Sequence, residues 1–273
     1  MIKSKTFKHY LKELRHWLRQ VKPYTKSKSL VSQLKEILPA YSNNIPVIVI
    51  SYNNGIYVDN TCKQLEKYNI KPIVIDNNST CKKTLGILHS LEKTRTAHIA
   101  RSSYNFGHEV GFIEPLYKIL PEVFAYTDPD LQFNKNLPED FLEKLSQLTI
   151  EFPVFKAGFA LSLNPKATFK KTTVRCHHFK PIRYDKTLSI KEFEEKHWVY
   201  RLQHNELELY ASPIDTTFAV YRKQNYIGDF HRAIRVAGDY SAIHLPWFVE
   251  LDIMNETDRD SYNKDNISSN WSR

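Results

Sequence analysis

The stretch Val47-Ile48-Val49-Ile50-Ser51-Tyr52-Asn53-Asn54-Gly55 decides the fold class, because an apolar run ends abruptly in a polar turn. Four consecutive β-branched residues are typical of a short strand that is buried on both faces of a parallel sheet. The polar residues then turn the chain out of the strand, and a helix is predicted from Tyr57 to Tyr68. A buried strand followed by a polar turn and a helix indicates that an α/β domain begins at Val47.

The same alternation of strand and helix continues downstream. It predicts strand Ile73–Ile75, helix Lys82–Leu91 and strand His98–Ala100. Such a pattern indicates an α/β fold with a mixed, mainly parallel sheet between helices, in which ligands bind at the carboxyl ends of the strands. The flanking regions predict a helix over Leu30–Leu38, strands over Phe152–Leu163, Thr172–Arg175 and Asp215–Tyr221, and a helix over Glu192–Leu202.

Positive charge is concentrated at the N-terminus. Residues 1–28 contain nine Lys and Arg against Glu13 alone, so they carry +8 of the net charge of +9. The nearly neutral remainder argues against a nucleic-acid partner. Apolar residues within residues 1–28 recur at spacings of three and four, which predicts a basic amphipathic helix that ends at Pro23. This helix could lie on an anionic membrane surface or dock on the protein or on a partner subunit, and the density of bases favours the membrane.

The composition excludes several classes of protein. Three cysteines without a Cys-x-x-Cys pair support neither a disulfide framework nor a thiolate zinc site. We find no Gly-x-Gly-x-x-Gly or Walker sequence, no apolar run of the roughly 18 residues that span a bilayer, and no signal peptide. We therefore expect a cytoplasmic protein that is peripheral to the inner face of the membrane. It would comprise the arm at 1–40, a main domain at 41–250, and a polar tail or lid at 251–273.

Asp128-Pro129-Asp130 is the most informative polar motif, because it follows the apolar run Val123–Tyr126. Two carboxylates at a strand end can share one hard divalent cation, and such a cation can hold a diphosphate. Asp258-Arg259-Asp260 repeats the spacing in a polar stretch that no strand precedes. The context of the motif therefore matters more than its spacing.

In this context the chain resembles the nucleotide-sugar-dependent glycosyltransferases of the GT-A fold, of the family-2-like, small bacterial type. The resemblance covers residues 45 to 250. It implies an enzyme that moves a sugar from a UDP-linked nucleotide-sugar donor to a hydroxyl of a surface glycan or glycolipid. The transfer would invert the configuration of the sugar's anomeric carbon. It rests on segments in a fixed order: Val47–Asn54, Val74–Thr80, Tyr104–Gly107, Asp128–Asp130, Ile214–Ala219 and His244–Trp247.

The resemblance also implies residues that bind the donor. A tyrosine ring can stack on uracil, and a carboxylate can accept from an imide N–H or a ribose hydroxyl. Asp76 could instead start an Asx turn, and Arg101 could be exposed without a ligand. The implied donor-binding residues are Ser51, Tyr52, Asn53, Asp76, Arg101, Asn105 and Asp128.

A metal site is implied as well. Asp128 and Asp130 would bind Mn²⁺ or Mg²⁺, with His244 as the third ligand. Imidazole suits manganese better than magnesium. Alternatively, His244 could simply pack beside Pro246 and Trp247.

Transfer to a hydroxyl requires a general base. The resemblance implies Asp215, although Asp215–Phe218 reads as a strand, whereas family members often place an acidic pair at the start of a helix. Asp239 and Glu109 are rivals for this role.

Two other functions stay open. An Asp-x-Asp motif after a strand also occurs in haloacid-dehalogenase-like phosphatases, which would make the chain another metal-dependent phosphate-handling hydrolase or transferase. That class requires Thr or Val where Gln132 stands. The other alternative is a non-catalytic membrane-surface protein. The sequence also leaves open whether the chain forms a homo-oligomer.

Overall fold

A nine-stranded sheet forms the centre of the part of the chain that the computed structural model describes, residues 24–163, 166–175 and 187–265. Its strands are β1 (Val47–Ser51), β2 (Ile73–Asp76), β3 (His98–Arg101), β4 (Val123–Thr127), β6 (Lys156–Phe159), β9 (Arg201–Leu202), β10 (Leu209–Ala211), β11 (Ala219–Arg222) and β12 (Ala233–Val236). They lie in the spatial order β3-β2-β1-β4-β11-β6-β12-β10-β9.

The sheet is mixed. The pairs β3–β2, β2–β1, β1–β4 and β6–β12 are parallel, whereas β11 runs antiparallel to both β4 and β6, and β10 runs antiparallel to β12 and β9. Two small antiparallel sheets accompany it among the described residues. They pair β5 (Leu131–Phe133) with β13 (Ala242–His244), and β7 (Thr173–Arg175) with β8 (Thr187–Ser189). The predicted mixed α/β fold is confirmed.

Helices cover both faces of the sheet. The described helices are α1 (Lys28–Ile37), α2 (Gly55–Glu66), α3 (Lys82–Lys93), α4 (Glu114–Ile119), α5 (Phe141–Glu151), α6 (Ile190–Glu195) and α7 (Glu256–Asp265). In β1, Val47 and Val49 pack in the core with α2, α3 and α5, whereas Ile48 and Ile50 pack in the core with α1 and α4. Both faces of β1 are therefore buried, which explains its uninterrupted apolar run.

The predicted elements of the first half are confirmed with boundary shifts of at most two residues, but several in the second half are wrong. The strand predicted over Phe152–Leu163 is confined to β6, because α5 extends through Glu151 and the chain turns before the strand begins. The helix predicted over Glu192–Leu202 ends early, since Arg201 and Leu202 pair with β10. The strand predicted from Asp215 begins only at Ala219.

Two predicted segments lie partly outside the described residues. The basic arm is described only from residue 24, so its amphipathic helix over residues 1–23 stays a prediction. The tail is described to Asp265 and is anchored by Asp252, which accepts a hydrogen bond from the Tyr57 hydroxyl (2.6 Å) and pairs with Lys170 and Arg259. Among the described residues, none of the helices combines the length and apolar character needed to span a bilayer.

Candidate functional site

The predicted site residues converge at the carboxyl edge of the parallel strands. The register aligns Ser51 with Asp76 and Asp76 with Arg101, so that β1, β2 and β3 end side by side. Strand β4 ends on the same edge, immediately before Asp128. Because β11 is antiparallel to β4, the segment that leads into β11 arrives at this edge as well.

Asp128 is tied to the segment that precedes β11. Its backbone N–H donates to the Thr216 carbonyl (2.9 Å), and its carboxylate accepts a hydrogen bond from the Thr216 hydroxyl. Burial raises the pKa of Asp128 well above its ordinary value, the charges of Asp130 and Asp215 raise it further, and the Thr216 hydroxyl opposes the shift. A cation beside this carboxylate would remove the cost of its ionisation.

Asp130 and His244 are brought together by the pairing of β5 with β13, in which His244 lies opposite Leu131. The Leu245 N–H donates to the Asp130 carbonyl (2.9 Å), and His244 Nε2 lies 3.4 Å from Asp130 Oδ2. The other carboxylate oxygen, Oδ1, is buried and has no hydrogen-bond partner among the described residues. The His244 ring also packs against Trp247, with 4.6 Å between the ring centroids, so packing accompanies its contact with Asp130.

The chemistry of Asp128, Asp130 and His244 suits a divalent cation, although among the described residues their ligand atoms do not all lie within 4.8 Å of one another. Burial lowers the pKa of His244, and the charge of Asp130 offsets only part of that shift, so the imidazole is neutral as a ligand must be. The buried Asp130 oxygen supplies an acceptor that nothing in the described chain satisfies. Two carboxylates and one imidazole form a donor set for a cation of the manganese type.

A second cluster lies beside the first and consists of His108, Glu109 and Asp215. One ligand atom of each lies within 4.8 Å of the others, and His108 Nε2 is 3.8 Å from Asp215 Oδ1. The two carboxylates predicted as rival bases are thus neighbours, and both are exposed to solvent. Asp239, the third rival, lies against Asn136 instead, at 3.4 Å.

Tyr126 of β4 holds the loop that carries His108 and Glu109 in place. The Tyr126 hydroxyl donates to the His108 carbonyl (2.7 Å) and accepts from the Gly111 N–H (3.1 Å). A Cβ atom at residue 111 would lie 2.4 Å from the Tyr126 ring, so this approach requires glycine. The geometry of this cluster is therefore set by a buried side chain rather than by the loop alone.

Three of the predicted donor-binding residues hold neighbouring loops. Asn53 Oδ1 accepts from the N–H groups of Thr80 (2.8 Å) and Cys81 (2.9 Å). Asp76 Oδ1 accepts from the Ser79 N–H (3.0 Å), which is the turn that the sequence left open as an alternative. Asn105 Oδ1 likewise accepts from Asn77 and Gly107, both at 2.8 Å.

The other donor-binding candidates differ in their availability. Ser51 is buried at the end of β1, and its hydroxyl has no hydrogen-bond partner among the described residues. Tyr52 is half-buried next to it. The Arg101 guanidinium forms a bidentate pair with Glu92 of α3 (2.8 and 3.1 Å), so contact with a diphosphate would require that pair to break.

The sequence places His108 in a loop beside the sugar donor, Asn105–His108, but it assigns no individual role to three residues of this region, His108, Thr216 and Lys156. His108 follows a glycine in a loop, and no pattern connects it with Asp215 across more than 100 residues. Thr216 looked like a strand residue. Lys156 carries a signal, since it is a single lysine within the apolar run Phe152–Leu163, but the run alone does not indicate what the lysine contacts.

Comparison with known proteins gives a family and two distant structures. Residues 47–190 match the family described as glycosyl transferase family 2. Solved structures that match include a fragment of S. aureus TarS, with 20% identity over 48% of this chain and a TM-score of 0.33, where this chain covers only 41% of the TarS chain. Another is the mannosyltransferase PcManGT from Pyrobaculum calidifontis, solved with GDP-Man and Mn²⁺, with 10% identity, coverage of 92% of this chain and 76% of that chain, and a TM-score of 0.44. No curated protein sequence matches.

Proposed function

The chain belongs to glycosyl transferase family 2 and is a glycosyltransferase, and we propose that its site moves a sugar from a UDP-linked donor to a hydroxyl of a glycan or glycolipid, with inversion. Residues 41–250 would form the catalytic domain. The observation that supports the proposal is the contact of His244 with Asp130, which has one buried and unsatisfied carboxylate oxygen and whose charge raises the pKa of Asp128.

These three residues would hold Mn²⁺ or Mg²⁺. When bound, the cation neutralises charge on the diphosphate and on the departing nucleotide. The Thr216 hydroxyl holds the Asp128 carboxylate in one orientation, and the β5–β13 pairing holds His244 beside Asp130. The chain thereby holds Asp128 and the Asp130–His244 pair separately in place before any ligand arrives, which lowers the cost of reorganisation.

The nucleotide would lie over the ends of β1 and β2. Tyr52 offers a ring for stacking, Ser51 offers a free hydroxyl, and Asp76 keeps a second carboxylate oxygen besides the one that Ser79 occupies. Asn53 and Asn105 would act through the loops that they hold. Arg101 would reach the diphosphate only after it leaves Glu92.

Asp215 would act as the general base. Its side chain is exposed to solvent, and the hydroxyl of Thr216, its neighbour in sequence, donates to the carboxylate of Asp128, a proposed metal ligand. A carboxylate in this position can accept the proton of an acceptor hydroxyl as that oxygen attacks the sugar. His108 and Glu109 lie close enough to change its orientation and its charge environment.

The test is a panel of UDP- and GDP-linked sugars with Mn²⁺, scored for hydrolysis of the donor without an acceptor. We expect one donor to be hydrolysed, with loss of the activity in a metal chelator and recovery on addition of Mn²⁺. Binding of UDP and GDP, measured by calorimetry with and without Mn²⁺, gives an independent readout. Absence of both hydrolysis and metal-dependent nucleotide binding would contradict the proposal.

Substitution of His244 tests the third metal ligand. His244→Ala should raise the Mn²⁺ concentration for half-maximal donor hydrolysis by at least about tenfold, because loss of even an outer-shell partner of a metal costs about 10- to 100-fold in affinity. His98→Ala is a matched control, since His98 also packs against an aromatic ring, that of Tyr41 at 6.0 Å, but on β3. An unshifted Mn²⁺ titration with a lowered melting temperature would assign His244 to packing alone.

We also propose that residues 1–28 bind an anionic membrane surface, because this segment carries +8 of the net charge. Removal of residues 1–22, which leaves α1 intact, should reduce binding to vesicles of phosphatidylglycerol and phosphatidylcholine at least tenfold and preserve donor hydrolysis. Vesicles of phosphatidylcholine alone provide the control. Equal binding of both proteins to the anionic vesicles would mean that the arm has another partner.

A further inference from the structure

Lys156 of β6 is fully buried, although a buried lysine is rare without a charged partner. Its Nζ donates to the backbone carbonyl of Asp215 (2.9 Å) and lies 3.4 Å from the Tyr221 hydroxyl. The ammonium also lies over the rings of Phe230 and Tyr221, 3.7 and 4.9 Å from their centroids. None of the ion pairs within the described part of the chain includes Lys156.

Burial of the Lys156 ammonium carries an unfavourable free energy of desolvation. Burial lowers the pKa of Lys156 to about 7, and the charges of Asp215 and Glu109 oppose that shift. An apolar side chain of similar length would fill the same space without desolvating a charge. The position of the ammonium therefore requires an explanation beyond packing, and its hydrogen bond leads directly to the proposed base.

A second buried cation holds the same segment. Arg235 of β12 donates through Nε to the Pro213 carbonyl (2.8 Å), and its guanidinium pairs with the buried Glu194 of α6. Strands β6 and β12 are parallel neighbours, with Arg235 opposite Gly158, so both cations approach from one face of the sheet. The segment 213–215 is thus anchored at two carbonyl groups from beneath, while the Asp215 side chain stays exposed.

We propose that Lys156 is a positioning residue that fixes the Asp215 backbone, and thereby sets the Asp215 carboxylate beside Glu109 and the Thr216 hydroxyl on Asp128. This inference rests on the proposed function of Asp215 as base. Lys156 is fully buried, so it would act only through the segment that it anchors. Loss of the ammonium should free this segment and slow catalysis by more than it weakens the binding of the donor.

Lys223 provides a matched control. Its Nζ donates to the carbonyls of Tyr117 and Leu120, both at 2.9 Å, and lies 4.9 Å from the centroid of the Tyr117 ring. Burial also lowers the pKa of this lysine. It follows the opposite end of β11, however, so the same chemistry occurs away from the site.

The experiment compares Lys156→Met and Lys223→Met with the wild-type chain, using the donor that the wild type hydrolyses. We expect Lys156→Met to lower kcat at least tenfold with a smaller rise in KM for the donor, because the variant alters the segment that carries Asp215 and Thr216 and leaves the other donor-binding residues in place. Its melting temperature should be no lower than that of the wild type, since a desolvated charge is removed. Amide hydrogen exchange should become faster in residues 212–218. Lys223→Met should leave kcat, KM and this exchange unchanged.

Two results would overturn the inference: an unchanged kcat in Lys156→Met, or unchanged exchange of residues 212–218. If Lys156→Met does not fold, Lys156→Gln takes its place and the same two criteria apply. If the wild-type chain hydrolyses no nucleotide sugar, the proposed function has failed, whereas the exchange measurement still tests whether Lys156 anchors the segment. The two failures are therefore distinguishable.

Discussion

Asp130→Asn should abolish metal-dependent sugar transfer and leave the fold intact. The side chain lies next to His244, with one oxygen buried and unsatisfied, and its charge raises the pKa of Asp128. Asparagine keeps the shape but loses the charge that a divalent cation requires. We expect donor hydrolysis to fall by at least about 100-fold, which corresponds to about 2.7 kcal/mol of the activation barrier. Because one of two mutually repelling carboxylates is removed, the melting temperature should stay the same or rise.

The chain offers an internal control for this substitution. Asp260 belongs to the second Asp-x-Asp sequence, which the structure places on the exposed surface of α7. Asp260→Asn should change neither the hydrolysis rate nor the Mn²⁺ titration. Near-normal turnover of Asp130→Asn with Mn²⁺ would show that Asp130 is not a metal ligand, and the donor set proposed for the site would then be wrong.

Hydrophobic pattern predicted the first half of the fold well, for a physical reason. Each strand from β1 to β4 is short and buried on both faces, and a polar turn follows it, so pattern and structure coincide. The second half lacks this agreement. Thr216 and Thr217 have the residue type of a strand, yet the hydroxyl and carbonyl of Thr216 hold Asp128, and this tertiary contact overrides local propensity.

The candidate site was predictable where the ligands follow strands, and less so where loops meet. Asp128 and Asp130 could be identified from their position after β4, whereas His244 depended on a family resemblance, because only the β5–β13 pairing shows why it reaches Asp130. Nothing in the sequence connects His108 with Asp215, since their contact depends on how Tyr126 holds one loop and Lys156 the other. Side-chain anchors of this kind leave no periodic pattern.

Asparagines illustrate a second reason why the roles of site residues could not be predicted from the sequence. Asn53 was predicted to bind the donor, but its amide accepts two backbone N–H groups of the neighbouring loop, and its backbone φ of 52° is one that Asn tolerates better than most residues. An Asn at a strand end can bind a ligand or hold a turn, and both uses require the same residue type. Only the folded structure shows which backbone groups form hydrogen bonds with the side chain.

Asp215→Asn should lower kcat by about 10²- to 10⁴-fold, the contribution expected of a general base. KM for the donor and the Mn²⁺ requirement should stay near the wild-type values, because Asp215 lies outside the proposed metal-ligand set. The loop should keep its place, since Lys156 holds the backbone carbonyl of residue 215 rather than its side chain. The measurement is kcat at saturating donor and Mn²⁺, with the melting temperature recorded for each variant.

Glu109→Gln supplies the matched comparison, because Glu109 is the other exposed carboxylate of the same cluster. We expect it to lose less than about tenfold in kcat, the effect of a neighbouring charge rather than of the proton acceptor itself. Asp215 is favoured because it is adjacent in sequence to Thr216, whose hydroxyl contacts Asp128, so the base and the metal site share one anchored segment. If Glu109→Gln lost more activity than Asp215→Asn, Glu109 would be the base, and the Lys156 anchor would then matter only through Thr216.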